Sequence, residues 1–302
     1  MRISPIYLVL SALLALPCTL RCQSSEIPGR ELLRFPVGLI AEPAALPGIF
    51  NGGFWNPAAG LLANGATWRL SAGAMSTPSD VSVKADAGAI TGLWRGSSIT
   101  LSVVRASVAG VVRTDSDPLA LAYDLQYSTI VTSVGVARAL RPNIAWGVAT
   151  RLRTGQIDLD RGRALSIDGG IIADHLTRFD ARIGASTFLA SPWSNGKEHT
   201  SFIVGADARI ALVDSTRFGR AGVSTTTTLG GDAEQFVYAS GRYLAWEIRG
   251  GPVRTAINGA ENYRARMAIA VHYGGYAVGV AREGSPGGLG PSYQFVLSSV
   301  LR

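Results

Sequence analysis

Cysteine occurs only at Cys18 and Cys22, both inside or beside an apolar leader. Lysine occurs twice, at Lys84 and Lys197, and histidine three times, at His175, His199 and His272. Charged residues are 16% of the 302, against roughly a quarter in an average soluble domain. Each scarcity excludes something. A chain that loses both cysteines with its leader has no disulfide framework and no thiol chemistry. The net charge of +7 is carried mostly by single arginines, with no lysine/arginine run, so a nucleic-acid patch is excluded. The histidines lie far apart and form no HxxxH motif, and no carboxylate pair has catalytic spacing, so neither a metal centre nor an enzyme is expected. Asp158 and Asp160, within "DLDRG", are too few for a calcium loop. No cofactor is expected.

Long apolar runs are also missing, except at the start. The run Ile6–Leu16 would reach about 16 Å as a helix, short of a bilayer core of roughly 30 Å. With Arg2 before it, the segment reads as a signal peptide over residues 1–24, cut near Cys22–Ser25.

What is present is alternation. In "NYRARMAIAVHYGG", Tyr263, Ala265, Met267, Ile269, Val271 and Tyr273 share one face. Arg264, Arg266, Ala268, Ala270, His272 and Gly274 share the other. A period of two marks a strand. At a tilt of roughly 40° the two tyrosines stand about 26 Å apart along a membrane normal, matching the apolar band of about 25 Å on a transmembrane β-barrel. From residue 66 onward such segments recur, about fourteen in all by the alternation rule. "DLQYSTIVTSVGVARA" (124–139) slips midway, which predicts a bulge. The division between strands near 241–242 is the weakest boundary. Short links such as "GSS" and "LRPN" alternate with longer ones such as "RTDSDPLALAY" and "TGQIDLDRGR", as turns and external loops do in outer-membrane barrels.

The second face is mostly Ala, Gly, Ser and Thr, as a lumen wall requires. It also carries Arg69, Arg151, Arg153, Arg182, Arg209, Arg264, Arg266 and His272, with Asp168, Asp180, Asp207 and Glu247. Two readings stand: structural pairing across strands, or a basic path that meets an anionic head group. Residues 25–65 break the alternation. They are rich in Pro and Gly, yet Phe35, Leu39, Ile49, Phe50, Phe54 and Trp55 are too apolar for a disordered lead. They predict a plug, or hatch, entering from the periplasmic end. The expected class is an all-β transmembrane antiparallel barrel of about 14 strands over residues 66–302. A soluble secreted β-sandwich is the alternative.

The stretch "GIFNGGFWNPAAGLLANG" (48–65) resembles the N-terminal signature of the FadL/PorV-like outer-membrane family, with its short Asn-Pro-Ala element before the first strand. The runs 128–153 and 287–300 are similar to that family's later hairpin and last strand. The resemblance implies a fourteen-stranded barrel in the cell outer membrane with an N-terminal hatch. Asn56, Pro57 and Ala58 would be hatch residues, in a gate or simply in a turn before a strand. It also implies passage of hydrophobic, fatty-acid-like solutes by a lateral opening or, as in the PorV branch, a non-transporting anchor for secreted proteins. Its partners would be outer-membrane lipid, a hydrophobic small-molecule ligand and the barrel-insertion machinery. The chain departs from the usual aromatic terminus of such barrels, ending Val300-Leu301-Arg302.

Overall fold

The computed structural model describes residues 26–34, 41–61, 66–78, 82–110, 112–113, 123–214, 216–257, 259–284 and 290–301. The leader, Phe35, Leu39 and Arg302 lie outside them.

The strands are β1 (Trp68–Ser76), β2 (Ser82–Trp94), β3 (Ser97–Ala109), β4 (Val112–Arg113), β5 (Tyr123–Asp124), β6 (Tyr127–Arg141), β7 (Ile144–Ile157) and β8 (Asp160–Ala173). They continue as β9 (Arg182–Phe188), β10 (Ser201–Asp214), β11 (Arg217–Thr228), β12 (Ala233–Tyr243), β13 (Trp246–Ile257), β14 (Ala260–Tyr273), β15 (Tyr276–Glu283) and β16 (Ser292–Leu301). All but the small β4–β5 ribbon form one closed antiparallel barrel of 14 strands. Closure is by β1 on β16, from Trp68 opposite Leu301 to Ser76 opposite Tyr293. Every ladder amide in a spanning wall needs such a partner, because lipid offers none. The soluble-sandwich alternative is thereby overturned: there is one curved sheet, not two stacked layers.

Alternation sets which face is which. On β14 Tyr263, Met267, Ile269 and Tyr273 are exposed outside, while Arg264 and Arg266 are buried inside. On β7 Trp146, Val148 and Leu152 point out against buried Ala149, Arg151 and Arg153. Aromatic residues gather at one rim, where Trp68, Trp94, Tyr243, Trp246, Tyr273 and Tyr276 flank the shortest turns. Such side chains suit a membrane–water boundary. Trp193, Phe202, Tyr263 and Tyr293 stand exposed toward the opposite, loop-bearing rim.

Three expectations need correction. The strand β6 does not slip midway. It runs in register with β3, and its irregularity against β7 lies at Ala139/Arg141, beside the turn. The apparent slip arises because Val131 faces inward, fully buried against residues of the N-terminal segment. The β12–β13 break falls at 244–245, where Leu244 takes a left-handed φ of 56°. Several predicted long loops are instead strand: the link between β7 and β8 is only 158–159, with Asp158 at φ 54°.

Residues 41–61 pass through the lumen. Ala41, Ala45, Leu46, Phe50, Phe54, Trp55 and Ala58 are buried. Phe50 packs on Ala270, Ala277, Ala281 and Val296 of β14–β16. On the opposite wall, Phe54 and Trp55 meet Phe188 of β9, with ring centroids 5.7 and 4.7 Å away. The chain reaches β1 at the aromatic rim, where the Thr67 amide donates to the Leu301 carbonyl at 2.9 Å. Its earlier part, 26–34, sits at the loop rim, with the Ile27 amide on the Lys197 carbonyl at 3.2 Å. The segment therefore does more than enter from the turn-side end: it traverses the barrel.

Candidate functional site in the lumen

The Asn-Pro-Ala element of the inner segment packs tightly against the wall. Asn56 is fully buried, and its Nδ2 donates to the Ala45 carbonyl at 2.6 Å. Its Oδ1 accepts from the Ala58 amide at 3.0 Å, capping the short 3₁₀ turn Pro57–Gly60. A proline at the first turn position costs no hydrogen bond. The wall makes room by omitting side chains. A methyl on Gly170 of β8 would lie 2.0 Å from Asn56 Oδ1, and one on Gly147 of β7 would lie 2.5 Å from the Pro57 carbonyl carbon. A methyl on Gly184 of β9 would lie 2.2 Å from the Ala45 oxygen. The segment is thus keyed to β7–β9 by its backbone and the Asn56 side chain, each set against a wall glycine.

Glu42 organises the next turn. Its carboxylate accepts from the amides of Ile49, Phe50 and Asn51 at 2.9, 3.1 and 2.9 Å, with Arg249 at 3.8 Å. No periodicity marks Glu42, because it lies outside any strand.

Above this turn, toward the loop rim, lies a cavity of about 450 Å³. That is ample for a small organic molecule. Its apolar side is formed by Leu33, Trp55, Phe188 and Phe236, and its polar side by Ser201, Ser224, Thr226, Thr228 and Thr255. Arg264 and Arg266 enter it from β14. Both bond to Glu234 of β12 and Glu283 of β15: Arg266 Nε reaches Glu283 at 2.5 Å and its Nη2 reaches Glu234 at 2.9 Å. Arg264 Nη2 reaches Glu234 at 2.5 Å, and its Nε bonds to Glu283. The Arg266 guanidinium also lies 4.9 Å from the Phe236 ring centroid. Arg30 and Arg34 roof the cavity. Arg30 pairs with Glu198 at 3.2 Å and Arg34 with Asp232. Burial pushes the Arg30 guanidinium down to about 10, against the pull of Glu198, so it remains charged at neutral pH.

Of the lumen residues expected from sequence, only Arg264 and Arg266 line this cavity. Arg151 and Arg153 lie beside it, paired with Asp168 and Glu198 at 2.5 Å each. Arg151 also stacks 4.9 Å from the Phe188 ring. Arg182 and Arg209 belong to a second cluster on the turn side. Arg182 pairs with Asp207 at 2.5 Å and Arg209 with Asp180 at 2.8 Å, joined by Arg220 and the Tyr238 hydroxyl. His272 bonds to Glu247 at 3.0 Å, also on the turn side. Arg69 stands apart on β1, its Nε and Nη1 without a hydrogen-bond partner among the described residues. Glu234 was within reach of sequence reasoning, being on the Phe236–Tyr238 face of β12. Glu198 was not, since it sits in the 189–200 link.

No family model matches the sequence, and no curated protein sequence matches it. Solved structures do match the fold. The toluene transporter TodX of Pseudomonas putida superposes with a TM-score of 0.59 at 8% identity, over 92% of this chain and 98% of that one. The Ralstonia pickettii toluene transporter TbuX gives 0.59 at 10% identity, over 88% and 98%. A TodX deltaS2S3 mutant, described as a monoaromatic hydrocarbon channel, gives 0.61 at 9% identity, over 87% and 97%. The likeness to FadL-type barrels drawn from the Asn-Pro-Ala segment is therefore borne out at the level of fold: this chain is a fourteen-stranded transmembrane barrel of the architecture shared by those toluene transporters.

Proposed function

We propose that the protein resides in the outer membrane and passes hydrophobic or amphipathic small molecules across it. The observation that carries this is the arrangement of the lumen: a cavity of about 450 Å³ at the loop rim, floored by a segment keyed into the wall. A purely structural barrel has no use for a ligand-sized space above such a floor. The aromatic rim and outward apolar band fit a bilayer, and the solved structures of like fold are named as transporters of small hydrocarbons. Fatty-acid-like solutes are one class within this reading. The anchor role for secreted proteins is favoured less, since it makes no use of the cavity above the floor. Residues 41–61 act as the gate, and Asn56, Pro57 and Ala58 hold it shut.

A direct test locks the gate. An ideal Cβ on Gly205 would lie 3.2 Å from the Ala45 Cβ, a few tenths of an ångström short of disulfide spacing. The Ala45→Cys, Gly205→Cys variant, matured without Cys18 and Cys22, should form one bond. Wild type in proteoliposomes should take up a labelled small solute of this class, such as 2-naphthol, faster than protein-free vesicles. The oxidised variant should not, and reductant should restore uptake. Wild-type uptake at the protein-free rate would defeat the transport reading.

A further inference from the structure

The charges around the cavity say what enters it. Arg264 and Arg266 are balanced within their own cluster by Glu234 and Glu283. Arg30 is held by Glu198 and Arg34 by Asp232. Arg30 shares Glu198 with Arg153, but its Nη2 is taken up by the His199 carbonyl and the Ser201 hydroxyl at 2.8 Å each, so among the described residues every lining guanidinium is already engaged. An anion that captured Arg264 or Arg266 would take a partner from Glu234 and from the buried Glu283, and a buried charge left short of its partner is costly. The remaining polar groups are different. Ser201 and Thr228 bond to each other at 3.0 Å, and Thr255 accepts from Arg264 at 3.0 Å. The hydroxyls of Ser224 and Thr226, which line the same cavity, make no hydrogen bond among the described residues. They stand on β11 opposite Phe236 and Glu234 respectively. Across the cavity stand Trp55 and Phe188.

Resting on the transport reading, we infer that the cavity selects uncharged amphipathic solutes with an aromatic or aliphatic body and a hydroxyl or carbonyl group, and disfavours both fatty-acid anions and plain hydrocarbons. The body packs on Trp55 and Phe188. The polar group exchanges a hydrogen bond with Ser224 or Thr226. A hydrocarbon leaves those hydroxyls unsatisfied, and an anion meets arginines already neutralised.

Three probes of one shape separate the classes: 2-naphthol, naphthalene and 2-naphthoate. Binding is measured by calorimetry on the purified barrel in detergent, against protein-free micelles. Naphthol should bind about tenfold more tightly than either of the others, the worth of one good hydrogen bond. The Ser224→Ala, Thr226→Val variant should lose that advantage while keeping its naphthalene affinity. Glu234→Gln should raise naphthoate affinity about tenfold by freeing guanidinium hydrogen bonds, with heat-modifiable gel mobility confirming an assembled barrel. Wild-type naphthoate or naphthalene binding equal to that of naphthol would overturn the inference, as would a hydroxyl-free variant that still prefers naphthol. Naphthol binding without vesicle uptake would sink transport but leave the ligand class standing. Uptake of an arene with no naphthol preference would do the reverse.

Discussion

Single residues decide how the hatch meets the wall. Gly170 and Gly169 are neighbours on β8, but only Gly170 faces inward, where a methyl would collide with Asn56 Oδ1 at 2.0 Å. At Gly169 it would meet nothing within 4 Å. Gly170→Ala should therefore displace Asn56 and cost about 1–3 kcal/mol, the usual penalty of overpacking. Gly169→Ala should be neutral. Single-channel conductance in planar bilayers checks this: we expect a leak in the first variant and a wild-type trace in the second. Residue-level partners were only half legible in the sequence. Alternation placed Arg151, Arg153, Arg264 and Arg266 on the inner face correctly, because a period-two pattern survives any tilt of the strand. It could not supply their carboxylates. Glu198 is separated from Arg153 by 45 residues and lies in an irregular link, so only the closed fold brings them together.

At the scale of elements, β8 and β9 form the weakest seam of the wall. They share only the pairs from Gly170–Ser186 to Ala173–Ile183, whereas β7 and β8 pair along their full length. Beyond that seam the 189–200 link takes over. Asp168 accepts from the Leu189 and Ala190 amides at 3.1 and 2.8 Å, and the Trp193 indole donates to the Leu165 carbonyl at 2.8 Å. Asp168→Asn would leave Arg151 buried without its counter-ion, a change that typically costs 3–5 kcal/mol. We expect faster amide exchange in 189–200 and in the outer half of β8, with β1–β3 unchanged, read by hydrogen-exchange mass spectrometry. Exchange spread evenly round the barrel would contradict a local seam. Strand positions were legible because each strand keeps its outer apolar face. Turns were not: the β7–β8 and β12–β13 links turn on Asp158 and Leu244 in left-handed conformations, where glycine is the usual sequence signal.

At the scale of the whole molecule, the hatch touches opposite walls through different chemistry. Against β7–β9 the contact is backbone and the Asn56 side chain on glycine, and against β14–β16 it is Phe50 among alanines. Beside Phe50 the hatch makes a single hydrogen bond to this wall, the Ser298 hydroxyl donating to the Ile49 carbonyl at 3.0 Å, so its grip on β14–β16 rests mostly on apolar packing. Phe50→Ala should loosen it, raising solute uptake into proteoliposomes at some cost in stability, about 3 kcal/mol or more for a large aromatic. Reduced uptake in an assembled variant would argue that Phe50 guides solute instead. The barrel class could be foreseen from alternation and sparse charge. The cavity could not, since it depends on where the inner segment stops filling the lumen.

The course of residues 41–61 also bears on biogenesis. Residues 26–34 lie at one mouth and Thr67 at the other, with Ala45, Phe50 and Asn56 enclosed between. A finished cylinder could admit such a stretch only by drawing the chain's leading end along its whole bore, and proteins rarely thread loops. That favours an order of events in which the N-terminal segment is laid down first, with the staves bent round it and the β1–β16 joint shut over cargo already aboard.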